Sequence, residues 1–437
     1  MELKLIMRDG GLVGAGGAGF PSYAKLAGGA DTLLINGAEC EPLLYTDYII
    51  LKTEPETVIA GIEAVMEDLS IKTAYLAIKN HTAKRLCFND GDSLSAKVKV
   101  RVLGDVYPTG DEISLIHEAI GRTVKPGKLP ISSGVIVYNV ETMYNLGRLI
   151  KYGEPVTYKW VTVGGNIPNP AVVKVPVGIK VSELFEKLKI TVPEGNTLID
   201  GGPSMGKIIN YSRAVVTKTT KGLLVLPDAS RAVESKLINE KMAVARAETA
   251  CCQCTRCTDM CPRNLLGYPL EPHKMVRTAM GAAKFEPKMV ISATLCCGCG
   301  ICENLACSQG ISPKAVINNY KELLRRSKIR YLSEEEVNPA PEREYRKIPS
   351  NKWAATLGVA KFDRVPDYLG EITDFKYAEI PLSKHIGLPS VATVENGERV
   401  SKNDMIAKGG DGLSVAQHAP FDGICSIGSD AIIIRKA

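Results

Sequence analysis

Thiols crowd one short stretch of this chain. Residues 250 to 262, "ACCQCTRCTDMCP", hold five of the thirteen cysteines and end on a proline. Counted from Cys251 the spacing is C-x2-C-x2-C-x3-C-P, through Cys254, Cys257 and Cys261 to Pro262. A second set, Cys296, Cys299, Cys302 and Cys307, lies in "LCCGCGICENLACSQG", with four residues before its last cysteine and Ser308 where a proline would follow. In a reducing compartment such spacing favours metal over disulfides. Three thiolates in x2 steps can wrap one loop around a cube of iron and sulfide, whereas a structural zinc site usually takes two C-x2-C knuckles separated by a spacer. Zinc remains the competing assignment.

The first run is the pattern of bacterial ferredoxins, and in two-cluster ferredoxins the fourth cysteine of each run serves the other cluster. The expected ligand sets are therefore Cys251, Cys254, Cys257 and Cys307 for one [4Fe-4S] cluster and Cys296, Cys299, Cys302 and Cys261 for its twin. Cys252 and Cys297 each adjoin a ligand and are expected to point away, a register shift through either being the alternative. Cys87 and Cys425 are expected to be small buried residues.

Clusters of this kind move single electrons, so something must feed them. In "GGLVGAGGAGFPSYAKL", Gly14, Gly16, Gly17 and Gly19 leave backbone bare, Pro21 suits a helix's first turn and Lys25 follows about one turn later. Bare N–H groups beside a helix start make an anion cradle. The usual dinucleotide fingerprint needs a strand just before the glycines, which "LIMRDGG" does not supply. Downstream, "DTLLINGAECEP" reads as an apolar strand ending in Asn36, Glu39 and Glu41, at the strand end where α/β sheets place ligand contacts.

"GLVGAGGAGFP…K", "NGAECEP", "YPTGDE" and "YNVET" occur in this order, and together they resemble the flavin-bearing subunit of respiratory complex I and its relatives, the RnfC electron-transport subunits and PduS-type cobalamin reductases. The resemblance implies FMN held by Gly14, Gly16, Gly17, Gly19 and Lys25, with Asn36 on the flavin and Phe20 stacking against the nicotinamide or adenine of NADH. It further implies that Glu39, Glu41 and Glu112 face cofactor or NADH hydroxyls, and that Asn139 and Thr142 close the site. Tyr107 fits a core or loop aromatic equally well.

These motifs need elements to position them. Residues 50–150 alternate helical and strand patterns, which predicts an α/β domain with a largely parallel sheet. The expected fold class is α/β and multidomain: a Rossmann-like FMN/NADH domain over 1–150, a β-grasp domain of the soluble-ligand-binding (SLBB) type over 155–230 and a two-cluster ferredoxin domain over 240–325. A Pro-rich, charged surface linker over 326–375 then leads to a barrel-sandwich, lipoyl-like domain over 376–437. The last resembles the module of RnfC and PduS proteins, without a carrier's modified lysine, and its His385 and His418 read as structural. Keeping this module at the chain's end, after the flavin domain, is the PduS-like order.

Forty glycines and 25 prolines among 437 residues suggest many turns, and 45% hydrophobic content suits a globular protein. A net charge of +6 without dense basic runs argues against nucleic acid. The longest apolar runs fall short of a membrane span, and "MELKLIMRDGG" has no signal-peptide core. A cytoplasmic oxidoreductase is expected, passing electrons from NADH through FMN and two clusters to an acceptor. The resemblance makes that acceptor a corrinoid within a bacterial microcompartment, with a shell protein or corrinoid enzyme as neighbour. The alternative is an RnfC-like peripheral subunit at the inner face of the membrane, serving ferredoxin or membrane partners.

Overall fold

The computed structural model describes residues 2–436. The first sheet is built from strands β1 (Thr32–Gly37), β2 (Thr73–Lys79) and β3 (Val98–Leu103), followed after a two-residue β4 (Val106–Tyr107) by β5 (Val135–Asn139). Its order is β3-β2-β1-β5, and every pairing is parallel. Such strands are covered on both faces and read as nearly continuous apolar runs, as "TLLING" and "VIVYN" do. Successive side chains divide between the faces: Leu33 and Ile35 enter one core with helices Pro55–Asp68 and Val140–Tyr152, while Leu34 enters another with helix Glu112–Ile120.

Two glycines let the first pair of helices touch. A Cβ on Gly61 would stand 2.0 Å from the Met143 carbonyl oxygen, and one on Gly147 would stand 1.9 Å from that of Thr57. The contact pins helix Val140–Tyr152, and with it Asn139 at its start, against the sheet. The strand sequence reverses direction between β1 and β5, so a crevice opens beyond their carboxyl ends, where ligands of such sheets lie.

The second sheet has six strands, in the order Asp367–Glu371, Ala171–Pro176, Tyr158–Gly165, Gly222–Pro227, Asn196–Asp200 and Lys207–Ile208, with helix Val181–Lys187 packed on it through Leu184 and Phe185. Its core continues into the carboxy-terminal module, where Phe375, Ile380, Ile432 and Ile434 join Val173, Val175 and Phe185. That module has a four-stranded and a three-stranded sheet.

Residues 326–375, expected as a surface linker, are mostly exposed and form neither helix nor strand over 327–340, but from 341 onward they add elements to the fold. Ile348–Pro349 pairs antiparallel with β4, Asp367–Glu371 is an edge strand of the second sheet, and Trp353 on helix Ser350–Thr356 is fully buried. Its Pro and charge content predicted a connector, but one tryptophan outweighs that composition: burying a ring of this size and finding a partner for its N–H requires a made-to-fit neighbourhood.

Between the last two regions lies a helical unit. Helices Glu240–Ala250, Pro272–Ala279 and Pro313–Arg326 surround the cysteine loops. The extra residue of the second run, four before Cys307 where the first run has three before Cys261, is absorbed by a single π-turn over Cys302–Ala306, closed by the Cys307 N–H on the Cys302 carbonyl at 3.2 Å.

Candidate functional site: a flavin crevice beside two cysteine sets

The glycine-rich segment is a tight loop that returns on itself: the Gly14 N–H bonds the Phe20 carbonyl at 2.8 Å, and Val13 bridges Pro21. Gly17 and Gly19 have φ of +109° and +66°, conformations that favour glycine, and residues 16–18 are exposed with open space above Gly17. The loop rests on helix Val140–Tyr152, where Thr142 Oγ1 accepts from the Ala15 N–H at 3.1 Å. Asn139 caps that helix through the Glu141 N–H and turns its amide nitrogen to the Asn36 carbonyl (3.3 Å) and Asp47 (2.8 Å). Asn36, at the end of β1, donates to the Gly110 carbonyl at 2.9 Å. The Lys25 ammonium pairs with Glu112 at 2.7 Å and also reaches the Val137 carbonyl. Gly16, Lys25, Asn36, Glu112, Asn139 and Thr142 thus surround the β1–β5 crevice, and Phe20, half-buried, closes the loop.

Glu39 and Glu41 are occupied differently. Glu39 has φ of +25°, and its side chain, 6% exposed, accepts from Thr46 Oγ1 and the Asp47 and Tyr48 N–H groups, holding the start of helix Thr46–Thr53. Burial and the neighbouring Asp47 push its carboxyl up to about 7. Glu41 spends both oxygens on the Ser204 and Met205 N–H groups of the "GGPSMG" loop at 2.8 and 2.9 Å, clasping the second domain. Both carboxylates are held by protein donors.

Beneath the crevice lies a charged network. Glu141 and Lys159 form an ion pair with side chains 0% and 1% exposed, Glu141 also accepts from the Trp160 N–H, and Lys159 reaches the Ala15 carbonyl. Lys221 pairs with Asp47 at 2.5 Å and lies 3.8 Å from Glu39. Both lysines come from the second domain, so these pairs fasten the glycine loop and Asn139 to its sheet. Sequence reading missed Asp47, Glu141, Lys159 and Lys221. Glu141 stands inside "YNVET" and had a signal, whereas the lysines sit at ordinary strand positions.

The structure brings Cys251, Cys254, Cys257 and Cys307 around one cavity of about 470 Å³ including its open mouth, with Cys252, His273 and Arg277 at its edge. Cys261, Cys296, Cys299 and Cys302 gather deeper, and Cys261, Cys299 and Cys302 are each under a tenth exposed. Burial and neighbouring thiols push Cys257 up to about 12, and burial pushes Cys261 to about 12, with Cys296 beside it acting in the same direction. Thiols grouped this way ionise only when a metal takes the proton's place, so the donor sets fit iron–sulfur clusters. Among the described residues no three His, Cys, Asp or Glu side chains converge on a point for a single metal ion. A [4Fe-4S] cube does not require that, because each thiolate binds a different iron. Cys297 adjoins the second set, and a hydrogen bond with the Cys299 thiol lowers it to about 7. Cys252 is exposed.

One segment connects crevice and thiols. Tyr107 stacks on Trp353 with ring centres 4.6 Å apart and donates its hydroxyl to the Cys299 carbonyl at 2.7 Å. Trp353 in turn donates to Ser204 Oγ at 2.9 Å. Four residues after Tyr107, Asp111 pairs with Arg263, two residues beyond Cys261, at 2.7 Å.

Residues 7–148 match the Nuo51 FMN-binding domain, residues 250–312 the 4Fe-4S dicluster domain and residues 369–432 the RnfC barrel sandwich hybrid domain. The chain is 35% identical to cobalamin reductase PduS of Salmonella typhimurium, across 99% of its own length and 96% of that protein's. It belongs to the PduS cobalamin reductase family. The Citrobacter freundii PduS is 36% identical over 96% of this chain and 93% of its own. A component of the ion-translocating oxidoreductase complex of Rhodobacter capsulatus is 32% identical over 65% of this chain and 54% of its own. In this PduS-family chain the FMN domain, the dicluster domain and the terminal barrel sandwich stand in the order the sequence motifs indicate. Among the described residues no helix is long and apolar enough to cross a membrane.

Proposed function

We propose that this chain is an NADH-dependent oxidoreductase that reduces a corrinoid. The observation that carries the reading is the segment 107–112, which borders the flavin crevice through Gly110 and Glu112 while its Tyr107 bonds the Cys299 carbonyl and its Asp111 pairs with Arg263, two residues beyond Cys261. When bound, FMN takes the two electrons of a hydride and gives them up singly, which is the conversion that links a nicotinamide to one-electron clusters. The protein's part is placement. Lys25 and the exposed turn at residues 16–18 supply a cation and bare backbone for the FMN phosphate, and Asn36 and Asn139 present amides to its polar edge. Glu112 holds Lys25 in position, and the Lys159–Glu141 pair holds the loop from below. Cys251, Cys254, Cys257 and Cys307 ligate one [4Fe-4S] cluster, and Cys261, Cys296, Cys299 and Cys302 the other. The balanced reaction converts NADH and two Co(III) centres to NAD+, a proton and two Co(II) centres.

Family membership supports a setting inside a bacterial microcompartment, with a corrinoid enzyme or shell protein nearby. The test is anaerobic NADH oxidation by iron- and flavin-loaded protein with cob(III)alamin, a ferredoxin and a quinone analogue offered in turn. Turnover with cob(III)alamin is expected. Turnover with ferredoxin alone would move the reading to the RnfC-like alternative, and turnover with none would end the enzymatic reading.

A further inference from the structure

The two cysteine sets are not equivalent in their surroundings. Cys299 shares a core with Leu43, Leu44, Tyr107 and Trp353, so residues of the flavin domain pack directly on that loop. Three polar contacts reinforce the seam: Tyr107 to the Cys299 carbonyl, Asp111 to Arg263, and the Tyr268 hydroxyl to the Val124 carbonyl at 2.7 Å. By contrast Cys251 and Cys307 pack in a small separate core with Ala243, Ala247, Val276, Ile311 and Val316, all from the helical unit itself. On that side Cys252 and Cys254 are exposed, and Gln253 and Thr255, with φ of +55° and +59°, form a knuckle at the surface. The turn Arg256–Asp259, which carries Cys257, packs on Cys302–Ala306, so the two sets adjoin each other.

Resting on the relay proposed above, we propose a fixed direction through this pair. Electrons enter at the Cys261, Cys296, Cys299 and Cys302 set and leave from the Cys251, Cys254, Cys257 and Cys307 set, with the corrinoid approaching over the exposed Cys252–Thr255 knuckle. Each hydride taken from NADH sends two electrons along this route one at a time, and each reduces one Co(III) to Co(II), with the hydride's proton released to solvent. Residues of the flavin domain cover the inner set, three of whose thiols are under a tenth exposed, whereas the outer set lines a cavity that reaches the surface at the exposed Cys252 and Cys254.

The experiment uses loaded, anaerobic protein carrying Cys87→Ser, which leaves Cys252 as the exposed thiol outside the ligand sets. After modification with a bulky maleimide, NADH should still bleach the flavin and bring up the electron paramagnetic resonance signals of both clusters, while reduction of cob(III)alamin is lost. In Cys299→Ser, NADH should bleach the flavin while the Cys251 set stays oxidised through the first turnover. If Cys299→Ser does not fold, the maleimide arm stands alone as the test. Undiminished cob(III)alamin reduction by labelled protein overturns the proposal, as does reduction of the Cys251 set in Cys299→Ser at the unmutated rate. If NADH fails to bleach the flavin of unlabelled protein, the relay itself is wrong, and this ordering falls with it.

Discussion

Replacing one partner of the Glu141–Lys159 pair should be far more damaging than replacing both. The side chains are 0% and 1% exposed, so neither charge has water to fall back on. Burial pushes the Glu141 carboxyl up and the Lys159 ammonium down, each toward its neutral form, and mutual attraction opposes both shifts. Glu141→Gln keeps an acceptor for the Trp160 N–H but strands the lysine charge, and Lys159→Met strands the carboxylate. Breaking a buried pair from one side typically costs about 3–5 kcal/mol, whereas removing both charges is often nearly neutral. Each single variant is therefore expected to lose about 3–5 kcal/mol, and Glu141→Gln with Lys159→Met to recover most of it. Because Lys159 also holds the Ala15 carbonyl, flavin should be released at lower denaturant in Lys159→Met than in the unmutated protein. The assay is urea denaturation followed by circular dichroism, with flavin fluorescence reporting the loop. Single variants within about 1 kcal/mol of the unmutated protein, or a double variant whose loss equals the sum of the singles, would refute the reasoning.

Three further outcomes are expected. Gly147→Ala places a methyl 1.9 Å from the Thr57 carbonyl oxygen and must push the two helices apart, at a cost of about 1–3 kcal/mol, read as a lowered thermal midpoint; an unchanged midpoint would deny the close crossing. Lys25→Ala should weaken FMN by about 1.5–3 kcal/mol, roughly ten- to 150-fold in Kd, as measured by flavin titration, and equal affinity would remove Lys25 from the phosphate site. Glu39, at about 7 in the folded chain against 4.5 as its ordinary value, holds a proton the unfolded chain has lost between those limits; its stabilising contribution is full below pH 4.5 and lost as pH rises through 7. Glu39→Gln should flatten that limb of the thermal midpoint against pH, and parallel profiles for the two proteins would contradict it.

The parts of this molecule that carry a local pattern were legible in sequence. Thiol spacing is fixed by the geometry of one loop around one cluster, so Cys251 to Cys261 named their chemistry without any fold. A strand end pointed to Asn36 and the family resemblance to Asn139, and the two residues do meet at the carboxyl edge of the parallel sheet. What stayed hidden depends on partners distant in sequence. Glu41 looks like a cofactor carboxylate until the N–H groups of the Ser204 loop engage it, and Lys159 and Lys221 look like surface lysines until the second domain docks on the first. The segment around Trp353 misled for the same reason, since its role is set by Tyr107, some 250 residues earlier. The longer spacing before Cys307 was visible, but the π-turn that accommodates it follows only from the need to bring that thiol back to the cavity.

The most direct measurement is the metal, sulfide and flavin content of protein isolated without oxygen. Iron and acid-labile sulfide in equal amounts, at the level of two [4Fe-4S] clusters for each FMN, is the predicted result. Zinc in place of iron and sulfide, with the thiols otherwise intact, would contradict it.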